Sequence, residues 1–302
     1  MRALLPHDRG VRLIGDLPPG VDVDVWTGSG DPPHAGQVEF WVPPFLATSR
    51  LIPVIAAMPK LAVIQLLSAG ADAWVGQVPD GVTLCDARGV HSSATSEWAA
   101  AAILASLRDF PRFVTAHNDG RWDQDSTDEL AGKRVCIVGS GAIGEALAAR
   151  LTPFEVHLVR VARTARGGVH AIEELPELLP DADVVVLLVP LTEATRGMVD
   201  AAFLARLPDG ALLVNAARGP VVDTEALVAE LSGGRLRAAL DVTDPEPLPS
   251  GHPLWTAPGL LLTPHVAGSV HGLLPRAYSL VAAQLDRYAR DQPLENVVSD
   301  GY

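Results

Sequence analysis

Arg218, Glu246 and His265 each follow an apolar run, in "LLVNAARG", "AALDVTDPEP" and "LLLTPH". An arginine can hold a carboxylate through two parallel hydrogen bonds. A histidine exchanges protons near neutral pH. A carboxylate beside it fixes its tautomer and favours its charged form. The three side chains together suit the reduction of a 2-keto acid, with hydride from a nicotinamide. Taken singly they have structural readings, because an arginine in "ARGP" can cap a helix and a histidine after a strand can simply pack. Their shared position at strand ends carries the functional reading, since open parallel sheets collect reactive groups there.

A second constellation is Gly139-Ser140-Gly141-Ala142-Ile143-Gly144, a GxGxxG between the strand-like "RVCIV" and a helical pattern through Arg150. In that setting the glycines serve a tight turn, close approach of a pyrophosphate, and packing of helix against strand. The helix N-terminus adds amide donors for phosphate. An NAD site ends its next strand in Asp or Glu, which accepts from the ribose 2′-hydroxyl. Here the next strand-like run, "VHLVRV", ends at Ala162, 18 residues after Gly144, and Arg163, Thr164 and Arg166 follow. A carboxylate would repel a 2′-phosphate, whereas arginines bind one. The pattern therefore points to NADP, with NAD as the alternative.

These groups need a frame. Strands are expected at residues 61–68, 82–87, 134–140, 155–161, 182–190, 210–217, 236–242 and 260–264. Helices are expected at 95–110, after Gly144, at 172–179, 200–207, 223–234 and 274–290. Continuous apolar strands alternating with helices describe an α/β protein with a parallel sheet covered on both faces. The expected organisation is a doubly wound nucleotide domain at 98–275, inserted into a discontinuous substrate domain of residues 1–97 and 276–302. The active site is expected in the cleft between them. Alanine-rich 95–110 is too apolar for a surface helix.

The 302 residues carry a formal net charge of −13, which argues against nucleic-acid and anionic-membrane partners. The longest uncharged stretch, 247–275, is interrupted by prolines and histidines and is no membrane span. The N-terminal apolar run is too short for a signal peptide. Cys85 and Cys136 have no CxxC partner, and Cys136 reads as a buried strand residue. The histidines show no metal-ligand spacing, so no metal is expected. The chain reads as cytoplasmic.

The runs "ELAGKRVCIVGSGAIG", "VPLTEATRGM", "VNAARGPVVDTEAL", "DVTDPEPLPSGHPLW" and "LLTPHVAGS" resemble the successive signatures of the D-isomer-specific 2-hydroxyacid dehydrogenase family. "LLSAGADAW" is similar too, and the likeness runs from about residue 60 onward. The resemblance implies two Rossmann-like domains and a homodimer. It implies that Arg218 orients the substrate carboxylate and carbonyl, that His265 is the general acid, and that Glu246 orients His265. It places Pro190, Ala216 and Asp241 against the cofactor, with Asp241 near the nicotinamide amide. It gives the amides around Ser68, Ala69 and Gly70 to the substrate carboxylate.

Three positions depart from the family pattern. The cofactor acid is absent, Glu155 stands where many members have glycine, and Trp98 replaces a frequent histidine. The chain ends soon after its last helix and has few basic residues near 68–70, which favours glyoxylate or hydroxypyruvate over a phosphorylated substrate. Phe45 is a candidate wall of the pocket, and His252 and Trp255 are candidate lining. Phosphoglycerate, phosphite or formate oxidation on the same scaffold is an alternative, although formate enzymes replace Glu246 by glutamine. A dinucleotide-sensing corepressor is a further alternative.

Overall fold

Short runs of valine, isoleucine and leucine set the strands in the computed structural model, which describes residues 1–45, 47 and 49–299. In chain order the first elements are β1 (Arg2–Leu5), α1 (Asp8–Ile14), β2 (Asp22–Val25), β3 (Val38–Trp41), β4 (Val63–Gln65) and β5 (Thr83–Cys85). Then come α2 (Ser92–Leu107), α3 (Phe110–Asn118), β6 (Arg134–Val138), α4 (Ala142–Leu151), β7 (His157–Ala162), β8 (His170–Ala171) and α5 (Leu175–Leu178). The chain continues with β9 (Val184–Leu187), α6 (Ala201–Leu204), β10 (Leu212–Asn215), α7 (Thr224–Ser232), β11 (Arg237–Leu240), β12 (Leu260–Leu262) and α8 (Leu273–Ala289).

The chain divides into two units, one of Met1–His91 with the segment from Val270, the other of Ser92–Ser269. Both divisions fall six residues ahead of the expected 97/98 and 275/276. Helix α2 is one hydrogen-bonded element and goes whole into the second unit. The segment from Val270 leads into α8, which packs with the first. Residues 300–302, part of the expected substrate domain, lie outside the described residues.

In the first unit five parallel strands are ordered β2-β1-β3-β4-β5. Alternate strand residues face opposite layers. Ala3, Leu5, Phe40, Val63 and Cys85 join Leu273, Ala277, Tyr278, Val281 and Leu285 of α8. Leu4, Val38, Trp41, Ile64 and Leu84 form the other layer with Trp26, Met58 and Trp74. The C-terminal helix thus returns to the first segment. A Cβ on Gly10 would stand 2.5 Å from the Tyr278 ring, so this glycine lets α1 lie against α8. The buried Gln284 donates to Gln65 Oε1 at 2.9 Å and to the Glu295 carbonyl at 2.8 Å, pinning α8 to β4.

In the second unit seven parallel strands are ordered β12-β11-β10-β9-β6-β7-β8. Cys136, Val138, Val185, Leu187, Leu213 and Leu240 face one layer. Val135, Ile137, Val184, Val186, Leu212 and Val214 face the other, against Ala99, Ile103 and Leu107 of α2 and Leu147 and Leu151 of α4. Trp98 packs against that second layer. Burial pushes both the Cys85 and Cys136 thiols up to about 12. They are packing residues and not nucleophiles.

Some boundaries differ from expectation for identifiable reasons. Helix α2 was expected over 95–110, but Asp109 takes a left-handed φ of 50° and Phe110 precedes a proline, so a new helix starts at Phe110. Strand β7 starts at His157 because Glu155 has a φ of 59°. A side chain there is strained, which explains why glycine suits this position. The two-residue β8 and the strands of the first 60 residues gave no clear signal. Among the described residues no helix is long and apolar enough to cross a membrane.

Candidate functional site

Because all seven strands of the second sheet are parallel, their C-terminal ends share one edge. His265 follows β12, Glu246 follows β11, Arg218 follows β10 and Pro190 follows β9. The glycine loop follows β6, and Arg163 and Thr164 follow β7. Strand order reverses between β6 and β9, which is where an open sheet leaves a crevice. With neighbouring strands about 4.8 Å apart, the three steps from β7 to β10 span roughly 14 Å, so the edge suits a long ligand.

His265 and Glu246 meet directly. His265 Nδ1 lies 2.6 Å from Glu246 Oε1. An ionised carboxylate can only accept, so Nδ1 carries the proton of that bond and Nε2 is left for exchange with a substrate. His265 has a φ of 54°, a left-handed conformation that costs about 1–3 kcal/mol in a residue with a Cβ. The surrounding bonds enforce it. The His265 amide donates to the Asp241 carbonyl at 2.7 Å. Asp241, only 3% exposed, accepts through its carboxylate from Thr263 Oγ1 at 2.6 Å and from the Val266 and Ala267 amides, each at 2.8 Å. Through these bonds the Asp241 carboxylate organises the His265 loop.

Arg218 stands on a turn built by Asn215. The buried Asn215 donates from Nδ2 to the Arg218 carbonyl at 3.0 Å and accepts from the Ala217 amide at 3.0 Å. Ala216 lies in the same turn, half-buried. A Cβ on Gly219 would stand 1.9 Å from the Thr243 carbonyl oxygen, so glycine is required for the Arg218 turn to touch the segment leading to Glu246. Thr224 Oγ1 reinforces this contact by donating to the Asp244 carbonyl at 2.9 Å.

The three glycines of the fingerprint are needed for different reasons. Gly139 has a φ of 112°, and a Cβ there would stand 2.5 Å from the Leu188 backbone. At Gly144 a Cβ would stand 2.1 Å from the Gly139 carbonyl oxygen. Gly141 has an ordinary φ of −85° and nothing within 4 Å of a Cβ. The fold itself does not call for glycine at 141, whereas a pyrophosphate drawn onto the backbone does. Ala142 and Ile143 open α4 immediately after it. The loop therefore fits a dinucleotide.

Beyond β7, Arg163, Thr164 and Arg166 are exposed. Arg166 Nη2 donates to the Ser140 carbonyl, tying this loop to the glycine turn. Pro190 is exposed at the end of β9, and its carbonyl accepts from Thr195 Oγ1 at 2.6 Å.

The other candidates make contacts within their own segments or with near neighbours. His252 Nδ1 accepts from the Leu254 amide at 3.2 Å, and the Trp255 indole donates to the Pro249 carbonyl at 2.8 Å. Both shape the loop after Glu246. In the first unit Ser68, Ala69 and Gly70 follow β4 half-buried, and Ser68 Oγ donates to the Gly70 carbonyl at 2.8 Å. Phe45 stacks on His91 with ring centres 5.9 Å apart. The sequence reading missed Asn215 and Thr263. Each is a polar residue at the end of an apolar strand, which is a usable signal.

Asp241→Asn is expected to leave at least one backbone amide of the His265 loop unpaired. Thermal or denaturant unfolding should then show a loss of about 1–3 kcal/mol, and kcat/KM should drop about tenfold or more through misplacement of His265. Wild-type stability with a wild-type rate would contradict the role given to Asp241.

The sequence profile described as D-isomer specific 2-hydroxyacid dehydrogenase, NAD binding domain, matches residues 100–267. A glyoxylate reductase of Thermofilum pendens is 35% identical over 249 residues, covering 77% of this chain and 73% of that protein. A crystal structure of a D-isomer-specific 2-hydroxyacid dehydrogenase of Xanthobacter autotrophicus, in complex with NADPH and MES, is similar with a TM-score of 0.85 and 31% identity over 100% of both chains. The NADPH-dependent glyoxylate/hydroxypyruvate reductase of Sinorhizobium meliloti, in complex with NADP and sulfate, gives a TM-score of 0.84 at 26% identity over 100% of this chain and 99% of that one. With two parallel α/β sheets and a dinucleotide loop, this chain belongs to the D-isomer-specific 2-hydroxyacid dehydrogenase family and is an NAD(P)-dependent 2-hydroxyacid dehydrogenase.

Proposed function

We propose that this enzyme reduces a small 2-keto acid of the glyoxylate or hydroxypyruvate type to the D-2-hydroxy acid and prefers NADPH to NADH. The observation that carries the reading is the 2.6 Å contact between His265 Nδ1 and Glu246 Oε1 at the sheet edge that also holds Arg218. The reading includes a homodimer, on the family resemblance, and a cytoplasmic location, on the sequence composition.

A bound dihydronicotinamide supplies the hydride that adds to the keto carbon. Arg218 holds the substrate carboxylate and polarises the carbonyl. His265 delivers a proton from Nε2 to the carbonyl oxygen, which becomes the hydroxyl. Glu246 keeps the ring in the required tautomer and balances the imidazolium charge before transfer. The presence of Glu246, and not glutamine, supports keto-acid chemistry over formate oxidation. Pro190, Ala216 and Asp241 lie on the cofactor side in this reading.

Cofactor choice rests on the residues after β7. Ala162 offers no carboxylate, and Arg163, helped by Thr164 or Arg166, supplies cations for a 2′-phosphate. The NADPH and NADP bound in the two structural relatives support the same preference.

Oxidation of NADPH and NADH against a panel of 2-keto acids tests the reading. Glyoxylate or hydroxypyruvate should be turned over faster with NADPH. His265→Ala should lose about 10²–10⁴-fold in kcat, and retention of most activity would remove His265 from the mechanism. Arg163→Ala should weaken NADPH about tenfold or more and leave NADH nearly unchanged. Equal loss for both dinucleotides would return Arg163 to the surface.

A further inference from the structure

The first turn of α4 carries an acid, Glu145, immediately after the last glycine of the fingerprint. An acid here adds negative charge next to a site built for phosphates, so its position requires a reason. Its bonds supply one. Glu145 Oε1 accepts from Ser140 Oγ of the glycine loop at 2.8 Å. Glu145 Oε2 accepts from Arg160 Nη1 of β7 at 2.8 Å.

Arg160 extends the connection. Its Nη2 donates to the Gly168 carbonyl at 3.3 Å. Gly168 belongs to a two-residue turn closed by Arg166 N to the Val169 carbonyl at 3.1 Å and Val169 N to the Arg166 carbonyl at 2.7 Å. Gly168 has a φ of 72°, and a Cβ on it would lie 3.2 Å from Arg160 Nη2, so the turn sits closely on that guanidinium. From the turn, Arg166 reaches back to the Ser140 carbonyl, with Nη2 also 3.9 Å from Glu145 Oε1. Two guanidiniums thus link the loop after β7 to the glycine loop, around one carboxylate.

We propose that Glu145 is a positioning residue for dinucleotide selection. It clasps Arg160 and Ser140 together and so fixes the arginine-bearing loop 163–169 beside the glycine turn. The inference rests on the 2′-phosphate reading of Arg163 given above. Two effects of Glu145 on a bound 2′-phosphate oppose each other. Its charge repels the phosphate, but the side chain is 47% exposed, and screening limits that effect to about twofold in affinity. Its hydrogen bonds hold the loop that carries the cations, and groups coupled in one such network change affinity by roughly twofold to 150-fold, a range that lies almost wholly above the repulsion. Positioning therefore outweighs repulsion, which fixes the sign of the test.

The test is calorimetric binding of adenosine 2′,5′-bisphosphate and 5′-AMP to the full-length protein, with KM for NADPH and NADH measured alongside. Glu145→Gln keeps the size of the side chain and removes its charge. It should weaken the 2′,5′-bisphosphate about fivefold or more, change 5′-AMP by less than about twofold, and raise KM for NADPH with little change in kcat. Arg160→Gln should act the same way, and the double variant should be no worse than the poorer single one, because both remove one clasp. Tighter or unchanged binding of the bisphosphate by Glu145→Gln would overturn the proposal, as would additive losses in the double variant. If Arg163→Ala abolishes the preference while Glu145→Gln preserves it, the 2′-phosphate reading stands and this inference alone fails. A wild-type protein that binds both nucleotides equally overturns the reading and the inference together.

Discussion

The buried carboxylate of Asp241 is the constraint on which the His265 end of the site depends. A carboxylate at 3% exposure must be compensated by hydrogen bonds, and all of those observed come from residues 263–267. That requirement draws the chain after β12 back over the end of β11. It holds His265 in a left-handed conformation that the residue would not choose by itself. Only with the backbone so fixed does the imidazole meet Glu246, which arrives from β11. The strain is local, and several short bonds over-determine it.

The same economy recurs along the sheet edge. Asn215 uses one buried amide to shape the Arg218 turn from both sides. Gly219 lets that turn touch the Thr243 carbonyl, so the Arg218 and Glu246 segments share a contact. At the other end Glu145, Arg160 and Arg166 tie the loop after β7 to the glycine turn. Rigid parallel strands fix the spacing, and buried or half-buried polar groups fix each loop that leaves them. Arg218, Glu246 and His265 gather near β10 to β12, and the glycine loop and Arg163 near β6 and β7, on either side of the reversal in strand order.

Much of this was legible in the sequence, because the signals were local. Most strands of the second unit are dominated by apolar residues, and the glycine fingerprint sits between a strand and a helix by pattern alone. Arg218, Glu246 and His265 follow strands, so a parallel sheet brings them to one edge without further information. What escaped depends on contacts distant in sequence. The role of Asp241 rests on bonds to residues 22 to 26 positions away. The link from Arg160 to Glu145 pairs a strand with a helix that precedes it. The break after α2 turns on the backbone at Asp109, and the start of β7 on the left-handed φ of Glu155, neither of which a hydropathy pattern records. The first three strands carry mixed residues and short lengths, so tertiary packing decides them more than local preference does.

The proposed reaction requires one geometry, in which His265, oriented by Glu246, faces a keto acid held by Arg218. A ternary crystal structure with NADP⁺ and oxamate tests it most directly. His265 Nε2 should lie within about 3.2 Å of an oxamate oxygen, with the oxamate carboxylate on the Arg218 guanidinium and the Nδ1 bond to Glu246 retained. Oxamate bound away from His265, or His265 turned off Glu246 in the complex, would contradict it.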